Sequence, residues 1–261
     1  MNILILLNRD LASTVALNYL LPEIAHHEIA ILVSERVGNN KKRKPQALED
    51  LSVVEQGILN DLISNTQQGE LLTIDGLAKK YHYPVRVENR INQASSIEQL
   101  AKFAPDLIVS VRYGVILKAE VISTPAYGVI NLHSGTLPAY RGVMATFWAM
   151  LKGERSIGTT LHYIDDATID TGRIIGHTHM PVDDRESYLD HVLKIYADGC
   201  DLIIDTIKIF ERGDVPETKD QQSGGEYFTF PDESDLKEFA NKGFKLFDLS
   251  AALSMYKRFK N

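Results

Sequence analysis

The chain has 261 residues, 44 % hydrophobic and 24 % charged, with 28 Lys and Arg against 35 Asp and Glu. Those values fit a globular protein and exclude collagen-like, disordered and disulfide-stapled classes. A net charge of −7 argues against a surface that grips a nucleic-acid backbone by counterion release.

Met1–Leu7 is an apolar run of the kind buried on both faces of a sheet, and Asp10 can cap a following helix with apolar positions Leu11, Val15, Leu17, Leu20 and Leu21. Ile29–Val33 reads as a second buried strand. This β-turn-α-β opening predicts an α/β, doubly wound, mostly parallel sheet. Gly38–Pro45 is a basic loop, with Lys41, Lys42, Arg43 and Lys44 in a row. Helix follows through Leu48–Ile63 and around Leu77–Tyr81, strand at Pro84–Val87, helix at Ile97–Phe103 and strand at Asp106–Val111.

A short strand starts at Val129–Asn131. Helix is expected at Met144–Leu151, strands at Thr159–Ile164 and Arg173–Pro181, and a long amphipathic helix at Tyr188–Phe210, stopped by Gly213 and Pro216. Residues 1–212 read as one catalytic domain and 213–261 as a C-terminal extension. The extension carries Tyr227, Phe228, Phe230, Phe239, Phe244 and Phe247, too apolar for a free tail, and is expected to dock on the body or on a second copy in a homodimer.

No run approaches the roughly 20 apolar residues needed to span a bilayer. The N-terminus lacks the basic start of a signal peptide, and the single Cys200 suits a reducing compartment. A cytoplasmic protein acting on small molecules is the expectation, with no membrane partner.

Asn131 and His133 sit two apart at the carboxyl end of a predicted strand, so their side chains share a side. In open α/β sheets ligands bind at that end. Asp165–Gly172 is an acidic loop between two later strands, and an Asp beside an imidazole fixes its tautomer and favours its charged form. Amide, imidazole and carboxylate without a nucleophile suit stabilising a tetrahedral oxyanion during acyl transfer to an external nucleophile. No metal set is predicted: His26-His27 precede a strand, and His177-x-His179 has no evident third ligand.

INLHSGTLPAYRG followed by GTTLHYIDDATIDTG resembles the folate-dependent formyltransferase family, whose pattern is Asn-x-His, then Leu-Pro, then Asp-x-Gly. Here those positions are Asn131, His133, Leu137, Pro138, Asp170 and Gly172. The resemblance implies a Rossmann-like formyltransferase fold over about residues 1–210 and 10-formyltetrahydrofolate as donor. It implies catalytic roles for Asn131 (oxyanion donor), His133 (acid/base) and Asp170 (orienting the imidazole). It also implies a folate pocket formed by Tyr113, Val115, Ile116 and Leu117 with Asp165, Asp166 and Thr168. On this reading the acceptor side holds Asn8, Arg9, Ser134 and Arg141, and His162 and Tyr163 serve packing.

Members of the family differ by acceptor. The first turn, Leu7–Ser13, lacks the Gly-rich phosphate cradle of glycinamide ribonucleotide transformylase. Segment 213–261 is short for the barrel of methionyl-tRNA formyltransferase. The chain also starts at its first strand, without the regulatory domain of formyltetrahydrofolate hydrolase. A small-molecule amine is therefore the expected acceptor, an amino-sugar nucleotide or a hydroxyornithine-like amine. Hydrolase, tRNA-directed and catalytically silent folate-binding readings stand as alternatives. A dinucleotide-dependent oxidoreductase would want G-x-G-x-x-G after the first strand, which LLNRDLAS lacks.

Overall fold

A computed structural model describes residues 1–35, 44–64, 71–222, 224–248 and 250. The run Lys41–Arg43 of the basic loop lies outside them. The elements in chain order are β1 (Asn2–Asn8), α1 (Leu11–Ile24), β2 (Glu28–Ser34), α2 (Gln46–Ser64), α3 (Ile74–Tyr81), β3 (Val85–Val87), α4 (Ala94–Phe103), β4 (Leu107–Val111) and α5 (Ala119–Ile122). They continue with β5 (Val129–His133), β6 (Tyr140–Gly142), α6 (Ala145–Leu151), β7 (Ser156–Ile157), β8 (Thr160–Tyr163), β9 (Ile174–His177) and β10 (Met180–Pro181). The last are α7 (Tyr188–Glu211), β11 (Glu226–Phe228) and α8 (Glu233–Asn241).

Seven strands form one sheet in the order β3-β2-β1-β4-β5-β8-β9. The first five are mutually parallel, and β8 and β9 add antiparallel pairings. The chain runs outward from β1 to β3, then returns beside β1 as β4. The direction of winding therefore reverses between β1 and β4, where such sheets open a crevice at their carboxyl ends. The fold is Rossmann-like and mostly parallel, as the opening of the sequence predicts.

β1 shows why the strands read as unbroken apolar runs. Ile3, Ile5 and Leu7 join a large core under α1, α6 and α7, while Leu4 and Leu6 face a smaller one with Ile91, Leu100, Ile108 and Val129. Both faces are covered, so alternation vanishes. Truncating one such side chain, for example Ile5→Ala, costs about 2–5 kcal/mol. α1 starts where Asp10 accepts from the Ser13 N–H at 2.8 Å. α7 starts with a reciprocal cap, the Asp190 N–H donating to Ser187 Oγ and the Ser187 N–H to Asp190.

The strand expected across Arg173–Pro181 is two strands in two sheets. β9 pairs with β8, whereas β10 pairs with β7. The break comes at Thr178, whose Oγ1 accepts the Thr159 N–H at 3.0 Å and so displaces the ladder bond. Gly158 permits the crossing, since a Cβ there would stand 1.7 Å from the Thr178 carbonyl oxygen.

The described part of segment 213–261 packs on the body. β11 runs parallel to β6. Phe239 of α8 is 1 % exposed and stacks on Phe147 with ring centroids 4.5 Å apart. Tyr227 remains half exposed.

Candidate active site

β5 ends at the sheet's carboxyl edge with Asn131 and His133, and β8 lies antiparallel beside it, placing His162 opposite Asn131. Two imidazoles and a main-chain N–H meet at Asp170. His133 Nδ1 is 3.4 Å from one Asp170 oxygen and His162 Nε2 is 3.5 Å from the other. The Gly142 N–H donates to the same carboxylate at 2.8 Å. Burial by itself would raise the Asp170 carboxyl, but His133, His162 and the Gly142 N–H outweigh it and hold the pKa at about 2.

The main chain fixes the protonation pattern. His162 Nδ1 lies 2.8 Å from the Tyr163 carbonyl, which only accepts, so Nδ1 carries hydrogen. Nε2 stands 3.1 Å from Asn131 Nδ2 and 3.5 Å from the Asp170 carboxylate: in the neutral ring it accepts from the Asn131 amide, and in the charged ring it donates to Asp170. Asn131 is thereby held with its amide nitrogen toward His162 and a second N–H to spare. His133 Nε2 likewise donates to the Tyr140 carbonyl at 2.6 Å, which leaves Nδ1 as the ring nitrogen that faces Asp170.

Two further features hold the Asp170 loop. Asp170 has φ +56°, a left-handed backbone that costs a non-glycine residue energy and needs support. Gln221 supplies it, its Nε2 donating to the Asp170 carbonyl at 3.0 Å and the Gly172 carbonyl at 2.8 Å. Gly172 must be glycine, because a Cβ there would lie 1.9 Å from the Tyr163 carbonyl oxygen.

The residues expected around a folate fall on two loops, 113–117 between β4 and α5 and 165–168 between β8 and β9. Tyr113 donates its hydroxyl to the Glu88 carbonyl at 2.6 Å, and Asn92 Nδ2 donates to the Ile116 carbonyl at 2.9 Å. Leu117 is buried and Ile116 is 56 % exposed. Among the described residues no hydrogen bond involves the main chain of Val115 or Leu117. The Asp165 carboxylate is engaged by Arg173 at 2.8 Å, so its side chain braces the loop. Asp166 accepts the Thr168 N–H at 2.7 Å and its hydroxyl, closing a small exposed turn.

The expected acceptor residues are more dispersed. Asn8 is spent on its neighbours, donating to Asp10 at 2.9 Å and accepting from Ser34 at 3.1 Å. Arg9 forms a surface pair with Asp75 at 2.6 Å. Ser134 accepts the Thr146 hydroxyl at its carbonyl. Arg141 Nη2 lies 3.4 Å from the Gly225 carbonyl, turned to the tail.

Three groups escaped the sequence reading. His162 was expected to pack, yet it orients Asn131, and its pairing became visible only with the antiparallel register of β8. Gln221 lies in the extension, far from any motif. Arg112, at the carboxyl end of β4, has φ +60° and donates from Nε to Asp10 at 2.8 Å, with 26 % of its side chain accessible. Burial alone would raise Asp10, but Arg112, Asn8 and the Ser13 N–H keep it below its ordinary value. Burial first, and then Asp10, push the Glu55 carboxyl of α2 up to about 7. These charges stand where the winding of the sheet reverses.

Residues 30–203 match the model of a family described as formyl transferase. The chain belongs to the formyl transferase family. It is 31 % identical over 150 residues to methionyl-tRNA formyltransferase of Syntrophus aciditrophicus (strain SB), covering 58 % of this chain and 48 % of that protein. It thus spans about half the length of the curated relatives it matches. Its fold resembles the N-formyltransferase from Helicobacter canadensis crystallised with folinic acid and dTDP-3-aminofucose, with TM-score 0.59, 18 % identity and coverage of 87 % of this chain and 71 % of that one. Glycinamide ribonucleotide transformylase 1 from Symbiobacterium toebii gives TM-score 0.58 at 17 % identity, covering 85 % of this chain and 94 % of that one. Gln221 and the tail strand lie beyond the matched family region.

Proposed function

We propose that the protein transfers a formyl group from 10-formyltetrahydrofolate to the amine of a small-molecule acceptor. The observation that carries this reading is the meeting of Asn131, His133 and Asp170 at the carboxyl end of β5, with the amide and both imidazoles held by hydrogen bonds of assigned direction. In the donor, the formyl carbon is the electrophile and the tetrahydrofolate nitrogen the leaving group. The unbonded Val115 and Leu117 main-chain groups suit the hydrogen-bonding edge of a pterin.

The neutral acceptor amine attacks the formyl carbon, and the carbonyl oxygen becomes an oxyanion. The spare Asn131 N–H and a His133 ring charged at Nδ1 stabilise it, and Asp170 stabilises that imidazolium. Collapse breaks the bond to the folate nitrogen, which takes up a proton as the amine loses one. Such preorganised donors act without reorganisation cost at the moment of reaction.

On the acceptor side we place Arg112 in the position first expected for Arg141. Its guanidinium is anchored by Asp10 at one edge and stands in the crevice between β1 and β4, suited to an anionic acceptor group such as a carboxylate or phosphate. A second reading, an aminoacyl-tRNA acceptor, is favoured by the sequence relatives and disfavoured by the net charge of −7.

Tetrahydrofolate release from 10-formyltetrahydrofolate tests the proposal. It is followed without acceptor, with pools of nucleotide-linked amino sugars, with hydroxyornithine-like amines and with methionyl-tRNA, and His133→Ala serves as control. Turnover with a small-molecule pool that is lost in the variant supports the reading. Turnover with methionyl-tRNA alone moves the protein to the second reading, rapid turnover with no acceptor makes it a hydrolase, and no turnover with any of them overturns the proposal.

A further inference from the structure

At the opposite end of the sheet, where the strands begin, a second polar cluster joins residues 185 positions apart in sequence. His26 and His27 lie in the turn between α1 and β2, and Glu211 is the last residue of α7. Glu211 Oε1 is 2.7 Å from His26 Nε2 and 3.0 Å from His27 Nε2. One ligand atom from each residue lies within 4.8 Å of the other two. Tetrahedral zinc, bound at 2.0–2.2 Å by imidazole and carboxylate, sets its ligand atoms about 3.3 Å apart. The two carboxylate–imidazole distances are a few tenths of an ångström shorter than that and the two imidazole nitrogens lie within 4.8 Å of each other, so small side-chain rotations would open the space for an ion.

His27 Nε2 is buried, in a side chain only 4 % exposed, and makes no hydrogen bond although it faces the carboxylate. A metal ion would take the place of its contact with the carboxylate and satisfy the nitrogen directly. Glu211 also ends a helix, where the dipole makes a carboxylate unfavourable and a cation favourable. His26 is 61 % exposed along its side chain, so the outer side of the cluster is open to solvent for a fourth ligand.

We infer that His26, His27 and Glu211 form a binding site for zinc or a similar divalent transition metal, stapling the α1–β2 turn to the end of α7. The sequence reading missed it because the third ligand arrives from the far end of the last long helix. This site is independent of the reaction at Asn131 and His133.

The test uses the full chain, untagged and stripped of metal, titrated calorimetrically with zinc chloride and, in parallel, with cobalt(II) read by its visible absorption. The expected result is one ion per chain and a melting temperature that rises with zinc concentration. His26→Ala and Glu211→Gln, both at accessible side chains, should each weaken binding at least tenfold and flatten the zinc dependence of melting. His179→Ala should leave binding unchanged. The metal-free melting temperature of each variant reports its folding separately. No stoichiometric binding to the wild type, or binding that survives both His26→Ala and Glu211→Gln, overturns the inference.

Discussion

Two polar clusters share the carboxyl end of the sheet, and they are built differently. Around β5 and β8, Asn131, His133, His162 and Asp170 come from one stretch of sequence, and main-chain carbonyls fix which nitrogen carries hydrogen. Around β1 and β4, Asp10, Glu55 and Arg112 come from three separate elements and are held chiefly by charge. The first cluster cannot be altered at one position without disturbing a bond network. The second can be retuned through α2 or the end of β4 alone. That division suits a family whose chemistry is shared and whose acceptors differ.

The largest effect should come from the first cluster. Asn131→Ala and His133→Ala are each expected to lower kcat by about 10²–10³, the usual cost of one oxyanion donor. Asn131→Ala should melt near wild type, whereas His133→Ala also removes a partner of the buried Asp170 carboxylate and a 2.6 Å hydrogen bond to the Tyr140 carbonyl, and should melt lower. Single-turnover formyl transfer checks this, and a loss confined to KM would place these residues in binding instead.

The second cluster should answer differently. Arg112→Lys keeps the charge beside Asp10 but removes the planar fork. It is expected to lower kcat/KM for the acceptor about tenfold or more while leaving KM for 10-formyltetrahydrofolate unchanged. A rise confined to the donor KM would reverse the assignment of the crevice.

The same contrast explains what the sequence could reveal. The strand runs, the Asp10 cap and the Asn131-x-His133 pair were legible because each depends on neighbours within a few residues. Asp170 was legible as part of a compact motif whose glycine is dictated by a close approach to Tyr163. Arg112 was not, because a left-handed arginine leaves no local signal and its partner lies 102 positions away. The split between β9 and β10 was equally hidden, since a threonine hydroxyl replaces a ladder bond only once the strands meet.

Acid stability probes the first cluster through Asp170. Asp170 titrates at about 2 in the folded protein against an ordinary value of 3.8. A depressed carboxylate contributes stability that is fully present above its unfolded pKa and is lost as pH falls from about 4 toward 2. The contribution is on the order of 2 kcal/mol. Asp170→Asn should therefore flatten the pH dependence of urea unfolding in that window and leave its shape unchanged above pH 5. An unaltered acid limb would mean that the carboxylate is not held by His133 and His162 in solution.

A smaller effect is expected at the junction between the catalytic loop and the extension. Gln221→Ala removes two hydrogen bonds to the Asp170 loop, each worth about 1 kcal/mol net, while Asp170 keeps its left-handed backbone. Such a loop should sample more conformations, so Asp170 would meet His133 less often. The expected outcome is a several-fold fall in kcat with both KM values unchanged, together with faster amide exchange confined to residues 165–172. Gln221→Glu should not rescue it, because a carboxylate cannot donate to the two carbonyls. The β6–β11 pairing makes the same connection from the other side: Tyr140 accepts from His133, Gly142 donates to Asp170, and the tail strand lies alongside both. Changes in the extension should thus reach the reaction through β6 and Gln221, whereas changes around Arg112 should reach only the choice of acceptor.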